Sequence, residues 1–578
     1  MTQSTILSLV VFLPLLAGLA LLLVPRQRVV FCRWWTLAAM TAGLVASGAA
    51  LSMMQKGAAG MQLVHRVPWI PSMGIDYFLG VDGISIYLVL LTSLLGPIVV
   101  LSAWRSIGEK VREFHFLLLL LQAGILGAFL SLDLFLFYMF WELMLIPMYL
   151  LIGVWGGPRR VYAAIKFVLY TIVGSLLMLV AILYLYFAHH AQTGMYTFDL
   201  LRLYGTELTG PQQVWLFAAF ALAFAIKAPV FPLHTWLPDA HVEAPTAGSV
   251  VLAGVLLKLG TYGFLRFALP LFPSAAHAAQ PLFLVLAVIG IVYGALVAMV
   301  QTDIKKLVAY SSVSHLGYCV LGLFAFNISG FSGSLFQMIS HGLSTGALFL
   351  LVGMIYDRRH TREIADFGGL AQAVPWFAAT FVFVTLSSIG LPGLNGFVGE
   401  FLVLVGAFGA NRIAAAAATT GVVLGAVYML WLVKRFLFGP LVHEENRMMS
   451  DLNGREVLLL LPILLFIVYL GVHPGPFLRR MEPSLHATLT LSTPGPGRVE
   501  TLRMLQLSTG SLRGSGTGWK AGAEGATAPR GASVPLLPAT APEFTAVVPA
   551  PGVMDQVLTV TASAFAVSAS AVGNGVAR

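Results

Sequence analysis

The chain has 578 residues, of which 58% are hydrophobic and only 10% charged, with a mean hydropathy of +0.88; no soluble core absorbs that much apolar surface, so composition places it in a membrane. Its net charge of +9 comes from 33 Lys and Arg against 24 Asp and Glu, yet the basic residues fall in short loops between apolar stretches, which is the pattern of membrane orientation signals and not of a nucleic-acid groove. Cys32 and Cys319 are too few to hold an iron–sulfur cluster or build a disulfide framework.

At about 20 apolar residues per crossing, the sequence predicts an all-α polytopic membrane protein of fourteen helices. They begin near residues 5, 33, 82, 114, 134, 163, 213, 246, 281, 307, 331, 375, 413 and 457. The first has no basic residue before it and no small-residue cleavage site, so it reads as a retained helix. Alternate loops carry Arg26/Arg28/Arg33, Arg105/Lys110/Arg112, Arg159/Arg160, Lys305/Lys306, Arg358/Arg359/Arg362 and Lys434/Arg435/Arg447/Arg455. These belong on the cytoplasmic side, and an even number of crossings then puts both termini outside. Lys56, Arg66, Arg202, Arg266 and Arg412 are the main exceptions on the other side.

The intramembrane charges divide the chain further. Residues 1–113 hold helices one to three; 114–270 hold helices four to eight with Glu142, Lys227 and Lys258; 271–435 hold helices nine to thirteen with His315, His341 and Glu400; and 436–486 hold the last helix. Two successive five-helix units must insert with opposite orientation, the inverted arrangement in which transporters place ion sites on interrupted helices. Two helices look interrupted: Pro229, Pro232 and Pro238 follow Lys227 in the seventh, and Pro392, Gly393 and Gly396 precede Glu400 in the twelfth. Residues 487–578 turn to Pro, Gly, Ala, Ser and Thr with scattered Arg, the composition of a disordered extension.

Glu142, Lys227, Lys258 and Glu400 carry the chemistry. A charge at the centre of a spanning helix costs at least about 3 kcal/mol on insertion scales, so such groups face a protein interior or a wet cavity and serve ion movement. In FYMFWELMLIPMYL, Glu142 lies roughly 12 Å along the helix from Leu134 at 1.5 Å per residue, near mid-membrane. Lys227 stands at a helix break and Lys258 midway along the next helix. A desolvated lysine beside a carboxylate holds its proton and releases it when the carboxylate moves or is neutralised, so a Lys/Glu pair acts as an electrically controlled valve. His234, His315 and His341 are candidate relays, since imidazole passes protons near neutral pH. The structural readings stay open beside these: paired acids that hold helices together, lysines that snorkel, histidines that are merely hydrogen-bonded. Asp133 reads as a helix N-cap, and Asp239, His241 and Glu243 as solvated loop charge or a cytoplasmic mouth, with no metal-ligand spacing.

FYMFWELMLIPMYL, KAPVFPLHTWLPDAH, AGVLLKLGTYG, TDIKKLVAYSSVSHLGY and LPGLNGFVGEF together resemble the antiporter-like membrane subunits of respiratory complex I, over roughly residues 1 to 485. The resemblance implies fourteen helices with two inverted five-helix repeats, a bacterial inner membrane location, and proton pumping driven by quinone reduction elsewhere in the complex. It implies Glu142, Lys227, Lys258 and Glu400 as the translocating residues, with His315 and His341 on the central polar axis. It also implies neighbouring L- and N-type subunits as partners, while NADH, FMN, iron–sulfur clusters and quinone belong to other subunits. Within the resemblance, L- and N-type subunits and cation/proton antiporter subunits usually carry lysine at the position of Glu400, so the acid favours a different branch of the family. A subunit of a multisubunit cation/proton antiporter or of a membrane-bound hydrogenase remains a same-fold alternative, and a structural membrane scaffold a different-class one.

Overall fold

A computed structural model describes residues 5–510. In chain order its main elements are α1 (Ile6–Leu22), α2 (Val29–Met53), β1 (Gln62–Ile70), β2 (Ile75–Val81), α3 (Ser85–Ser106), α4 (Val111–Leu130), α5 (Leu134–Trp155), α6 (Arg160–Thr193) and α7 (Gly210–Lys227). There follow α8 (Trp236–Glu243), α9 (Thr246–Leu271), α10 (Gln280–Met299), α11 (Ile304–Leu323), α12 (Ile328–Arg359), α13 (Pro375–Ser388), α14 (Asn395–Ala410), α15 (Arg412–Phe436), α16 (Gly454–Val472), α17 (Gly475–Ser492) and α18 (Pro496–Thr509). Each predicted helix start lies within four residues of an observed one, the widest gap being residue 33 against Val29. Among the described residues, 10 helices are long and apolar enough to cross a membrane by length and composition; α1, α13 and α14 are shorter apolar helices.

Two features depart from the sequence expectation. The antiparallel hairpin β1/β2, with Val67 opposite Tyr77, is absent from an all-helical reading. Helix also continues past residue 487 through α17 and α18, because Leu478, Met481, Leu485 and Leu491 bury one face of α17. Residues 511–578, the remainder of the expected extension, lie outside the described residues.

The loop charges sort the helix ends as alternation requires. Arg33 donates to the Ile107 carbonyl at 3.0 Å, Arg112 to Val24 at 2.9 Å, Trp155 Nε1 to Glu109 at 2.9 Å and Arg455 to Leu101 at 3.3 Å. Lys305 reaches the Ala244 carbonyl and Arg362 the Val242 carbonyl, both at 2.6 Å, and Arg358 pairs with Glu456 at 2.7 Å. These bonds gather the basic loops at one end. The hairpin marks the other end, where the Leu132 amide donates to Phe78. Three of the exceptional arginines there are neutralised locally: Arg66 by Asp76 and Asp199, Arg202 by Asp199, and Arg266 by Asp82 at 2.6 Å. Helix α4 starts from the basic end and α10 from the hairpin end, so the two groups of five run in opposite senses.

Both expected breaks are present. After Lys227 the chain turns through residues 228–235 before α8; Pro238 falls in the first turn of α8, where no intrahelical donor is lost, so Pro229 and Pro232 occupy the break and Pro238 does not. The second break, residues 389–394, uses left-handed backbone at Gly390 (φ 75) and Gly393 (φ 92), a conformation open to glycine. Freed backbone groups at such depth need protein partners. Trp236 Nε1 donates to the Ile226 carbonyl at 2.9 Å. At the second break the Ser340 hydroxyl donates to the Asn395 carbonyl at 3.0 Å, and Ser387 to Asn395 Oδ1 at 2.6 Å. Trp236→Phe is therefore expected to strand a buried carbonyl at a cost of about 1–3 kcal/mol. A lowered melting temperature of the purified assembly checks this, and an unchanged one contradicts it.

Candidate functional site

Lys258 sits in α9 between two wide i→i+5 turns, Leu252–Leu256 and Phe264–Ala268, a local widening of the kind that recurs at functional sites. The turn before it offers the Ala253 carbonyl to the Lys258 ammonium. The ammonium also lies 2.7 Å from His341 Nδ1 on α12, and the side chain is wholly enclosed. Helix α9 reaches this depth by packing on the first break at Gly260, where a Cβ would meet the Ala228 nitrogen at 2.4 Å.

From His341 the array continues. The rings of His341 and His315 are 5.6 Å apart, centroid to centroid, and His315 Nδ1 lies 2.8 Å from Glu400 Oε1. Gln337 Nε2 donates to the same oxygen at 3.0 Å. Both imidazoles border a hollow of about 10 Å³ lined by Ser340, Ser344, Ser387 and Ser388, close to the size one water needs. The structure thus joins four of the sequence candidates in the order Lys258, His341, His315, Glu400. With the ammonium donating to Nδ1, His341 carries its own proton on Nε2, which has no protein partner. A neutral imidazole in either position has one nitrogen that accepts and one that donates.

Glu142 and Lys227 form a separate cluster. The Lys227 ammonium lies 4.9 Å from the Trp141 ring centroid and 5.9 Å from that of Phe167, and Glu142 acts on it electrostatically. Tyr138 is a polar neighbour of Glu142 and of Ser175 on α6. Lys227 is buried, whereas Glu142 is half-buried and shares its helix face with exposed Met139 and Ile146. Among the described residues no hydrogen bond joins Lys227 to Lys258, whose ammonium is held by Ala253 and His341.

His234 is buried beside the first break against Phe231, Tyr293 and Tyr310. It stands apart from the His341–His315 pair. Asp239, His241 and Glu243 are not solvated loop residues: all three belong to α8. Asp239 pairs with Lys166 at 2.7 Å, the Glu243 carboxylate accepts from the Arg159 amide at 2.9 Å, and His241 is fully buried against Phe349. Glu243 borders a cavity of about 210 Å³ at the basic end, together with Lys305, Asp357 and Arg362. Asp133 is the N-cap expected of it, accepting from the amides of Phe135 and Leu136. Sequence reasoning missed Gln337 and the serines of the small hollow. Their signal was present in α12, where Gln337, His341 and Ser344 fall at i, i+4 and i+7 on one helical face.

Comparison with known proteins gives this geometry its family. The family model described as "NADH:quinone oxidoreductase/Mrp antiporter, TM" matches residues 131–425. NADH-quinone oxidoreductase subunit M of Rhodobacter capsulatus is 47% identical over 506 residues, covering 84% of this chain and 98% of that protein. NADH-ubiquinone oxidoreductase chain 4 of Marchantia polymorpha is 44% identical over 480 residues, covering 83% and 96%. A chain of the respiratory complex I from Thermus thermophilus with bound NADH superposes with a TM-score of 0.77 at 36% identity, covering 84% of this chain and 100% of that one. A chain of the Mrp complex from Dietzia, at 22% identity and a TM-score of 0.75 over 87% of this chain and all of that one, shares the fold. With that match over residues 131–425 and relatives this similar along most of their length, this chain belongs to the membrane-subunit family shared by NADH:quinone oxidoreductases and Mrp antiporters, in the group of subunit M and chain 4.

Proposed function

We propose that this chain is a proton-translocating membrane subunit of a NADH:quinone oxidoreductase, with NADH, FMN, iron–sulfur clusters and quinone held by other subunits. The observation that carries the reading is the Lys258–His341–His315–Glu400 array, with contacts of 2.7 Å and 2.8 Å at its two ends. A proton reaches Lys258 from the cavity beside Glu243 and Lys305 at the basic end. It passes to His341 Nδ1, and His341 releases its Nε2 proton through water in the serine-lined hollow. His315 accepts on Nε2 and gives from Nδ1 to Glu400, which empties toward the hairpin end. No imidazole has to rotate within such a transfer.

Glu142 and Lys227 set when that happens. A half-buried carboxylate on an apolar helix face is costly against lipid, so the α5 face bearing Met139, Glu142 and Ile146 meets an adjoining antiporter-like subunit of the L or N type. Charge arriving there shifts the hold of Glu142 on Lys227, and that shift is felt along the array. The basic loops face the cytoplasm of a bacterial inner membrane and both termini face the periplasm.

Lys227→Ala and Glu142→Ala test the coupling, in the intact complex and at normal assembly levels. NADH-driven acidification of inverted vesicles is expected to fall severalfold in both, relative to quinone reduction. A full proton-to-electron ratio in either variant would count against the reading.

A further inference from the structure

Three cations at the hairpin end have no use in the proton path. Lys56 follows α2, and Arg479 and Arg480 stand in the first turns of α17. Among the described residues no ion pair includes any of them, unlike Arg66, Arg202 and Arg266 at the same end. Glu482, the acid nearest in sequence, faces His486 at 3.7 Å instead. The three line one hollow of about 570 Å³, walled by Tyr87, Tyr469 and Phe477. The wall is ordered: Phe477 lies 5.2 Å from Tyr87 and 5.6 Å from Tyr469, ring to ring, and the Arg480 charge bears on the Tyr87 hydroxyl. The amino end of the 18-residue helix α17 opens on the same hollow through Pro476 and Phe477 and adds partial positive charge.

A second observation selects the ligand. From the hollow, α16 runs back toward the basic end with Tyr469, Leu465 and Leu461 exposed at spacings of four. That is one apolar stripe on one helical face. A concave cationic site with aromatic walls, at the head of an apolar stripe, fits a molecule with an anionic head and aliphatic tails.

We propose that this hollow binds the headgroup of an anionic phospholipid from the leaflet at the hairpin end, its phosphate between Lys56, Arg479 and Arg480 and an acyl chain along Tyr469, Leu465 and Leu461. The site adds a lipid contact to the chain and is independent of proton transfer, so its failure would leave the relay untouched.

The test uses the intact complex in detergent with a phosphatidylglycerol probe carrying a photoreactive acyl chain, its adducts mapped by peptide mass spectrometry. Adducts are expected on residues 461–480 of the wild type. Unlabelled phosphatidylglycerol vesicles should compete them away, whereas phosphatidylcholine vesicles and millimolar inorganic phosphate should not. Combining Lys56→Gln, Arg479→Gln and Arg480→Gln should weaken labelling on the order of 100-fold, from about fivefold per cation, with NADH-driven proton pumping unchanged. Labelling undiminished in the triple variant, or equal competition by phosphatidylcholine or by free phosphate, would overturn the proposal. The competition arms need only the wild type, so they decide the matter even where the triple variant does not assemble.

Discussion

Lys258→Met is expected to abolish proton translocation through this chain, by at least about tenfold in the ratio of protons moved to NADH oxidised, while leaving the complex assembled. The two effects separate on physical grounds. Methionine matches the unbranched length of the lysine stem, so packing in a fully enclosed site is kept. Losing the ammonium strands the Ala253 carbonyl and His341 Nδ1, at about 1–3 kcal/mol each. The same change relieves the desolvation of a buried cation, several kcal/mol in the opposite sense. The net change in stability is small beside the loss of the only group in the array that presents a proton to His341 Nδ1. Acidification of inverted vesicles, set against immunodetected complex, measures both quantities. Normal pumping by assembled Lys258→Met complex would remove the array from the path.

The opposite pattern is expected at Asp82 and Arg266. Their 2.6 Å pair has side chains only 4% and 2% exposed for Arg266 and Asp82, respectively. The Asp82 carboxylate also accepts from the amides of Ile84 and Ser85 at the start of α3. Asp82→Ala leaves a guanidinium buried without its counter-charge, at about 3–5 kcal/mol, and strips the acceptor from the Ile84 and Ser85 amides for about 1 kcal/mol more. That is a large share of a typical folding free energy of about 5–15 kcal/mol, so assembled complex should become scarce in membranes. Asp82→Asn combined with Arg266→Met keeps an acceptor for the α3 amides and leaves no charge behind. That double variant should be more abundant than Arg266→Met alone, a coupling that only contacting residues show. Equal abundance of all three variants would mean that the pair contributes nothing to the fold.

Which parts of this were legible in the sequence follows from what makes a residue conspicuous. Lys258, His315, His341 and Glu400 stand out because each interrupts an apolar run, and the same contrast exposes the helix starts and the two breaks. Their pairing was not legible: nothing in LAGVL announces the wide turn that presents the Ala253 carbonyl, since an i→i+5 turn and an ordinary one accept the same apolar residues. Nor did TWLPDAHVEAP look buried. Asp239 and Glu243 are charged and flanked by prolines, and only the approach of Lys166 and Arg159 from neighbouring elements makes their burial affordable. The hairpin escaped because QLVHRVPWI mixes polar and apolar residues without strict alternation, and its register rests on distant groups such as Asp199.

The bonding at Glu400 has one more outcome. His315 and Gln337 both address Oε1, and neither uses Oε2, which lies toward Gly390, 3.2 Å from where a Cβ on that residue would stand. Oε1 is thus the oxygen that faces His315, and Oε2 is left clear of both contacts. That oxygen borders the kink between α13 and α14, and a bulkier residue at position 390, already disfavoured by its backbone angle, would press on the acid itself.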